Sequence, residues 1–296
     1  MRARSVVAVV LTTVLLFGVF LAGVLGLLAV SERGGPFAFG GDRVAVIEIE
    51  GLIVDPLPVV RELEEHRDDP SVRAVVVRID SPGGVVGPSQ EIYEAIRRVR
   101  AKDKPVVASL GAVAASGGYY IAAAADRIVA NPGTLTGSIG VIMHLAELEG
   151  LFKKIGVRYE VIKSGRYKDL GSFARRMTQD ERRLLQDLLD DVHLQFVEAV
   201  AEGRGLDREV VLALADGRIF SGRQARGLQL VDALGGLQEA VELAAELGGI
   251  PGKPRVLYPR RPFSLLDLAR WLIGDRGALP ALGLLRSTKT PLYLME

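Results

Sequence analysis

Hydrophobic and polar positions divide the chain into segments of different character. Residues 6–30, VVAVVLTTVLLFGVFLAGVLGLLAV, carry no charge and no polar face. As a helix they would extend roughly 37 Å, enough to cross a ~30 Å hydrocarbon layer with some tilt. A cleaved signal peptide has a shorter apolar core, typically about 7–15 residues. The pattern therefore predicts a retained transmembrane anchor, with cleavage near Ala29–Ser31 as the alternative. Arg2 and Arg4 precede the run within the short stretch 1–5. The positive-inside rule then places the N-terminus in the cytoplasm and everything after the anchor outside it.

Residues 31–42 are Gly-rich and aperiodic and read as a linker. Beyond it the period changes. RVAVIEIEGLIV (43–54) alternates and is β-branched, and VVRELEEHRDD (59–69) has helical spacing. VRAVVVRIDS (72–81) is a short apolar run with polar ends, as in a strand buried on both faces. Helix 89–101, strand 105–111, a small-residue helix 115–125, strand 127–132, helix 145–156 and strand 157–165 follow. This βα rhythm predicts an α/β fold with a mostly parallel sheet covered by helices. From 178 the pattern turns helical. TQDE (178–181) is a capping box ahead of an apolar-periodic run to about 203, and SGRQ (221–224) opens another helix. One domain over 43–250 accounts for this order. The tail 251–296 is apolar and interrupted by Pro and Gly, with an amphipathic candidate at 263–274; it is expected to pack on its own domain or a neighbour.

Composition removes several classes of function. A net charge of +1, without a basic run interleaved with aromatics, gives no footprint for nucleic acid. The absence of cysteine rules out disulfides, thiolate zinc sites and a cysteine nucleophile. Nothing implies a metal or cofactor.

Three Gly/Ser clusters remain as candidate chemistry. DSPGG (80–84) follows a strand directly, where a parallel sheet binds ligands and where exposed glycine amides can donate to an oxyanion; it is also an ordinary turn. In AASGGYY, Ser116 opens a small-residue helix, which suits either an exposed nucleophile or a plain N-cap. Position 114 is Ala, so the G-x-S-x-G elbow pattern is not met. TGSIG (136–140) sets Ser138 between glycines and reads as a turn. A nucleophilic serine needs a base, and the chain has only three histidines. His66 lies in the charged first helix, and His193 sits mid-helix, expected to face solvent or be satisfied by neighbours. His144 follows the third cluster. A desolvated lysine can serve instead, and IKSGRYKDLGS (162–172) supplies Lys163 and Lys168.

Taken together, SPGG, AASGGYYIA, TGSIGVI, SGRYKD and GRIFSGRQARGLQLVDALGG (217–236) resemble the signal peptide peptidase A family in its short bacterial form. The resemblance implies a ClpP/crotonase-like fold and a membrane-tethered serine protease with a Ser–Lys dyad. It would degrade released signal peptides and other unfolded peptides through an acyl-enzyme. It further implies Ser116 as nucleophile, Lys168 as general base and Ser138 as the hydroxyl that orients the lysine. Gly83 and Gly117 are implied as oxyanion donors, with Lys163 left as a surface residue. Members of this form assemble into ring-like homo-oligomers whose active sites are built between subunits. In that setting the closing TPLYLME acquires a second reading, as a product-like segment in a cleft. Two alternatives belong to other classes: an acyl-CoA hydratase or isomerase, which needs catalytic carboxylates at the oxyanion cluster, and a scaffold whose site has decayed.

Overall fold

The structure, a computed structural model, describes residues 15–20 and 42–259. Residues 15–20 are helical with exposed side chains. The rest of the span 6–30, the N-terminal stretch 1–5, the linker up to Gly41 and the tail from Arg260 lie outside the described residues. Among the described residues, no helix is long and apolar enough to cross a membrane.

From Asp42 onward the chain winds a mixed α/β unit around one sheet. Its strands are β1 (Arg43–Glu50), β2 (Val72–Ser81), β3 (Val106–Ala115), β4 (Arg127–Ala130), β5 (Leu135–Gly137), β6 (Ile219–Ser221), β7 (Ala233–Leu234) and β8 (Arg255–Leu257). The helices are α1 (Leu57–Asp68), α2 (Val86–Arg100), α3 (Gly117–Ala123), α4 (Glu149–Ile155), α5 (Gln179–Arg204), α6 (Arg208–Leu214), α7 (Gly222–Gly227) and α8 (Leu237–Leu247). The order β6-β5-β3-β2-β1-β8 is parallel throughout except for β5 against β6, and β4 branches from β3 to pair with β7.

Pleating sorts the strand residues onto two faces. Ala45, Ile47, Val75 and Val77 join Leu63 of α1, Ile92 and Ile96 of α2, Tyr119 of α3 and Val197 of α5 in one core. Val44, Val46, Ala74 and Val76 turn the other way, onto Ala240, Val241 and Ala244 of α8. With both faces covered, β2 needs apolar residues at consecutive positions, which is why Ala74–Val77 are all buried. Gly203 lets α5 approach α3 closely: a Cβ there would sit 1.9 Å from the Ala123 carbonyl oxygen. That contact presses the C-terminal half of α5 onto the helix that follows Ser116.

Four local expectations change. The stretch Gly111–Ala115 extends β3, because its residues pair outward on both sides, Ala114 with Ser81 and with Thr136. Tertiary pairing there overrides the helix propensity of alanine. Residues 157–165 form no strand; the position beside β5 is taken by β6. The helix expected over 145–156 is confined to Glu149–Ile155. The region after 178 is not purely helical: β6, β7 and β8 return to the sheet, and β8 pairs with Arg43–Ala45.

His66 generates a prediction about stability. Lys104 closes the end of α1, its Nζ donating to the carbonyls of His66 (2.7 Å) and Asp69 (2.5 Å). Among the described residues, the His66 Nδ1 is buried there without a partner. Burial holds its pKa below the usual 6.5; Lys104 acts in the same direction, and Glu65 and Asp69 oppose it. The unfolded chain therefore binds a proton over a window in which the native chain does not. Stability contributed by neutral His66 is intact above about pH 6.5 and falls as the pH drops through that value. Melting temperature between about pH 7.5 and about pH 5.5 should fall less in His66→Gln than in the wild type. Equal falls would refute this.

Candidate active site

The site lies at the carboxyl ends of β2, β3 and β5. β2 ends at Ser81, and Pro82-Gly83-Gly84 leaves the sheet there. Ile53 pins this loop, donating to the Gly83 carbonyl (3.0 Å) and accepting from the Val85 amide (2.8 Å). In this parallel bridge between Ile53 and Gly84, the Gly84 N–H points away from Ile53, toward β3. The Gly83 amide is already used, donating to Ser81 Oγ at 3.1 Å.

Ser116 stands between β3 and α3 at φ 52°, ψ −123°, a conformation that costs a non-glycine residue about 1–3 kcal/mol. Its amide donates to the Gly137 carbonyl (2.9 Å), and its carbonyl accepts from Tyr120 (2.9 Å). The hydroxyl occupies the N-cap position but caps nothing. The bland reading of Ser116 as an N-cap is thereby answered: the backbone is strained, and the Oγ is left free. This is a sharp strand-to-helix turn of the kind that exposes a nucleophile, reached without the G-x-S-x-G pattern.

Gly83 packs directly behind this turn. Its φ of +108° is open only to glycine, and a Cβ on it would lie 2.8 Å from both the Gly117 nitrogen and the Ser116 Cβ. A Cβ on Gly117 would lie 3.2 Å from the Gly84 nitrogen. The Gly84 and Gly117 amides thus flank Ser116, and neither has an acceptor among the described residues. Sequence reading pointed to Gly83. The bonding pattern gives the neighbouring Gly84 the free N–H, and only the strand pairing with Ile53 reveals it. Ser138 lies beside Ser116, one residue beyond the Ala115–Gly137 pair, also at positive φ (51°).

A cavity of about 120 Å³ opens between Gly84, Ser116 and Gly117. Val86, Tyr120, Val141, Ile142, Val192 and Phe196 make it apolar, and no carboxylate lines it. The Tyr120 ring packs tilted against both Tyr93 and Phe196, with ring centres 5.0 Å away in either direction. Burial raises the Tyr120 phenol pKa, so that hydroxyl stays protonated.

The structure brings Ser116, Gly117, Gly83 and Ser138 together. It does not bring Lys168 to them within one chain: Lys168 is exposed, does not line the cavity and makes no side-chain hydrogen bond or ion pair among the described residues. His144 is exposed and outside the cavity. His193 departs from expectation, with its Nε2 buried and unpartnered.

Comparison with known proteins gives this geometry a family. Residues 98–250, just over half of the chain, match the model of peptidase family S49. A Synechocystis protein whose name describes a protease is 48% identical over 213 residues, covering 70% of this chain and 75% of that one. The chain belongs to peptidase family S49. An Enterococcus faecium protein named as a signal peptide peptidase is 38% identical over 181 residues, 61% of this chain and 53% of that protein's length. The serine-to-alanine variant of the membrane-bound stomatin-specific protease 1510-N shares the fold, with a TM-score of 0.52 at 16% identity, covering 75% of this chain and 99% of that one. This S49 peptidase is a serine protease, and its resemblance to the signal peptide peptidase A family is borne out.

The Gly83 contact can be tested directly. Gly83→Ala should push the Ser116–Gly117 turn out of place, moving the Ser116 hydroxyl and the Gly117 amide relative to the Gly84 amide, and lower kcat at least about a hundredfold, the order expected for loss of an oxyanion donor. Wild-type kcat in a folded Gly83→Ala protein would show that this close approach is dispensable.

Proposed function

We propose that this S49 peptidase is a membrane-anchored endopeptidase that cuts released signal peptides and other unfolded peptides with a Ser116–Lys168 dyad. The observation that carries this reading is the strained Ser116, its hydroxyl free, set against two unpaired amides and an apolar cavity. Ser116 Oγ attacks the peptide carbonyl, and a neutral Lys168 amine takes its proton. The developing oxyanion lies between the Gly117 amide and the Gly83–Gly84 turn. The lysine returns the proton to the leaving amine, and water then hydrolyses the acyl-enzyme. Ser138, beside Ser116 in register, orients the lysine amine. The apolar cavity suits an aliphatic side chain next to the cleaved bond, as a signal peptide supplies.

Lys168 reaches Ser116 from a neighbouring copy in a ring-shaped homo-oligomer. Two features support this. Lys168 lies outside the cavity of its own chain. The stretch around it also exposes large apolar side chains, including Tyr159 (53%), Ile162 (102%), Tyr167 (40%) and Phe173 (44%). Such a surface favours burial against another copy. Residues 6–30 anchor the protein in the cell membrane as a single pass, with the N-terminus cytoplasmic and the peptidase unit on the other side. Tethering keeps membrane-derived peptides at high effective concentration.

Ser116→Ala and Lys168→Ala should each lower hydrolysis of an apolar fluorogenic peptide by at least about a hundredfold. Mixing the two inactive proteins under conditions of subunit exchange should restore activity, because some interfaces would then pair an intact serine with an intact lysine. An active Lys168→Ala protein would remove the lysine from the mechanism. Inactive single variants that fail to complement after verified exchange would place both groups in one chain.

A further inference from the structure

Residues 163–181 carry Lys168 without a strand or helix until α5 begins, and an ion-pair chain orders them. Lys163 Nζ donates to Asp169 Oδ1 (2.5 Å) and to the Arg166 carbonyl (2.9 Å). Arg175 Nε donates to Asp169 Oδ2 (2.9 Å), and its terminal nitrogens donate to Glu181 Oε1 (2.5 Å) and Oε2 (2.8 Å). Glu181 in turn closes the capping box of α5 with Thr178. The acids are well covered, with side-chain exposures of 11% for Asp169 and 5% for Glu181. Lys163 is therefore no idle surface residue.

We propose that Lys163, together with Arg175, is a positioning residue for the reaction: the two cations bond both oxygens of the Asp169 carboxylate and balance its charge, which weakens the acid next to Lys168 in sequence as a partner for the Lys168 amine. The inference rests on Lys168 being the general base. A base must be neutral to accept the serine proton, and a nearby unpaired carboxylate favours the charged ammonium. The surrounding acids are committed in the same way. Asp180 pairs with Arg166 (2.6 Å), and Arg166 also lies over the Tyr167 ring. Glu147 pairs with Arg176 (3.8 Å), and Glu149 pairs with Lys153 (2.5 Å) and accepts from the Arg176 amide. Arg158 and Glu160 stand exposed on the preceding segment. The Asp169 carboxyl is held well below its ordinary pKa by Arg175 and then Lys163.

The test is the pH dependence of kcat/KM for the full chain on an apolar fluorogenic peptide. In Lys163→Met, Asp169 Oδ1 is released to Lys168, and the acid limb should move to higher pH by about one pH unit. Activity at the alkaline plateau should stay within about twofold of wild type. Lys163→Arg, which keeps the pairing, should leave the limb in place. The double variant Lys163→Met/Asp169→Asn, which removes the released carboxylate, should return it to the wild-type position. A Lys163→Met profile lowered by the same factor at every pH, with the limb unmoved, would mean that Lys163 only stabilises the loop and would overturn the proposal. Lys168→Ala run alongside separates the two failures: if it remains active, the dyad itself is wrong.

Discussion

The site depends on one constraint, the left-handed backbone of Ser116. A serine at φ 52° relaxes into an ordinary turn unless its surroundings forbid it, and here they do so from three sides. The Gly137 carbonyl holds its amide, so β5 fixes the turn from one flank. Gly83 lies against its Cβ from the other flank. Below, Tyr119 and Ile121 of α3 are fully buried and anchor the helix that the turn must enter. A strain of a few kcal/mol is sustained because relaxing it would break the sheet pairing and the core together. That same turn places the Gly117 amide next to the Ser116 hydroxyl, so the proposed nucleophile and the proposed oxyanion donor follow from a single backbone conformation.

The sequence made much of this legible, and the limits have physical causes. Central strands such as Ala74–Val77 announced themselves because burial on both faces demands unbroken apolar runs. Ser116, Ser138 and the Pro-Gly-Gly turn each read equally as ordinary turns or a cap, and only the order of the motifs along the chain singled them out. The Ala-rich end of β3 was misread, since its extended state comes from neighbours at Ser81 and Thr136, which no local pattern reveals. Residues 157–165 have the composition of a strand but do not join the sheet, a choice of tertiary pairing that local composition does not carry. The free amide at Gly84, as against Gly83, depends on the alternation of bonds in the pairing with Ile53. The Asp169–Arg175–Glu181 chain was equally hidden, because nothing in a list of charges says which carboxylate a lysine will occupy.

The two halves of the proposed dyad are held by unlike physics. The serine half is rigid, built from sheet register and close glycine packing in an apolar core. The lysine half has no regular secondary structure and is ordered by ion pairs around Asp169, with large apolar side chains left facing outward. A segment of that kind suits a part that must dock against another copy. On the proposed mechanism activity would depend on assembly, and a lone subunit would carry a prepared serine without its base.

The central claim is that Ser116 is the activated nucleophile, and covalent trapping tests it most directly. The full-length protein would be treated with a fluorophosphonate and its peptides mapped by mass spectrometry. A single adduct on Ser116, formed much faster in the wild type than in Lys168→Ala, is the predicted result. An adduct on Ser138 or another serine, or labelling of Ser116 at the same rate without Lys168, would contradict it.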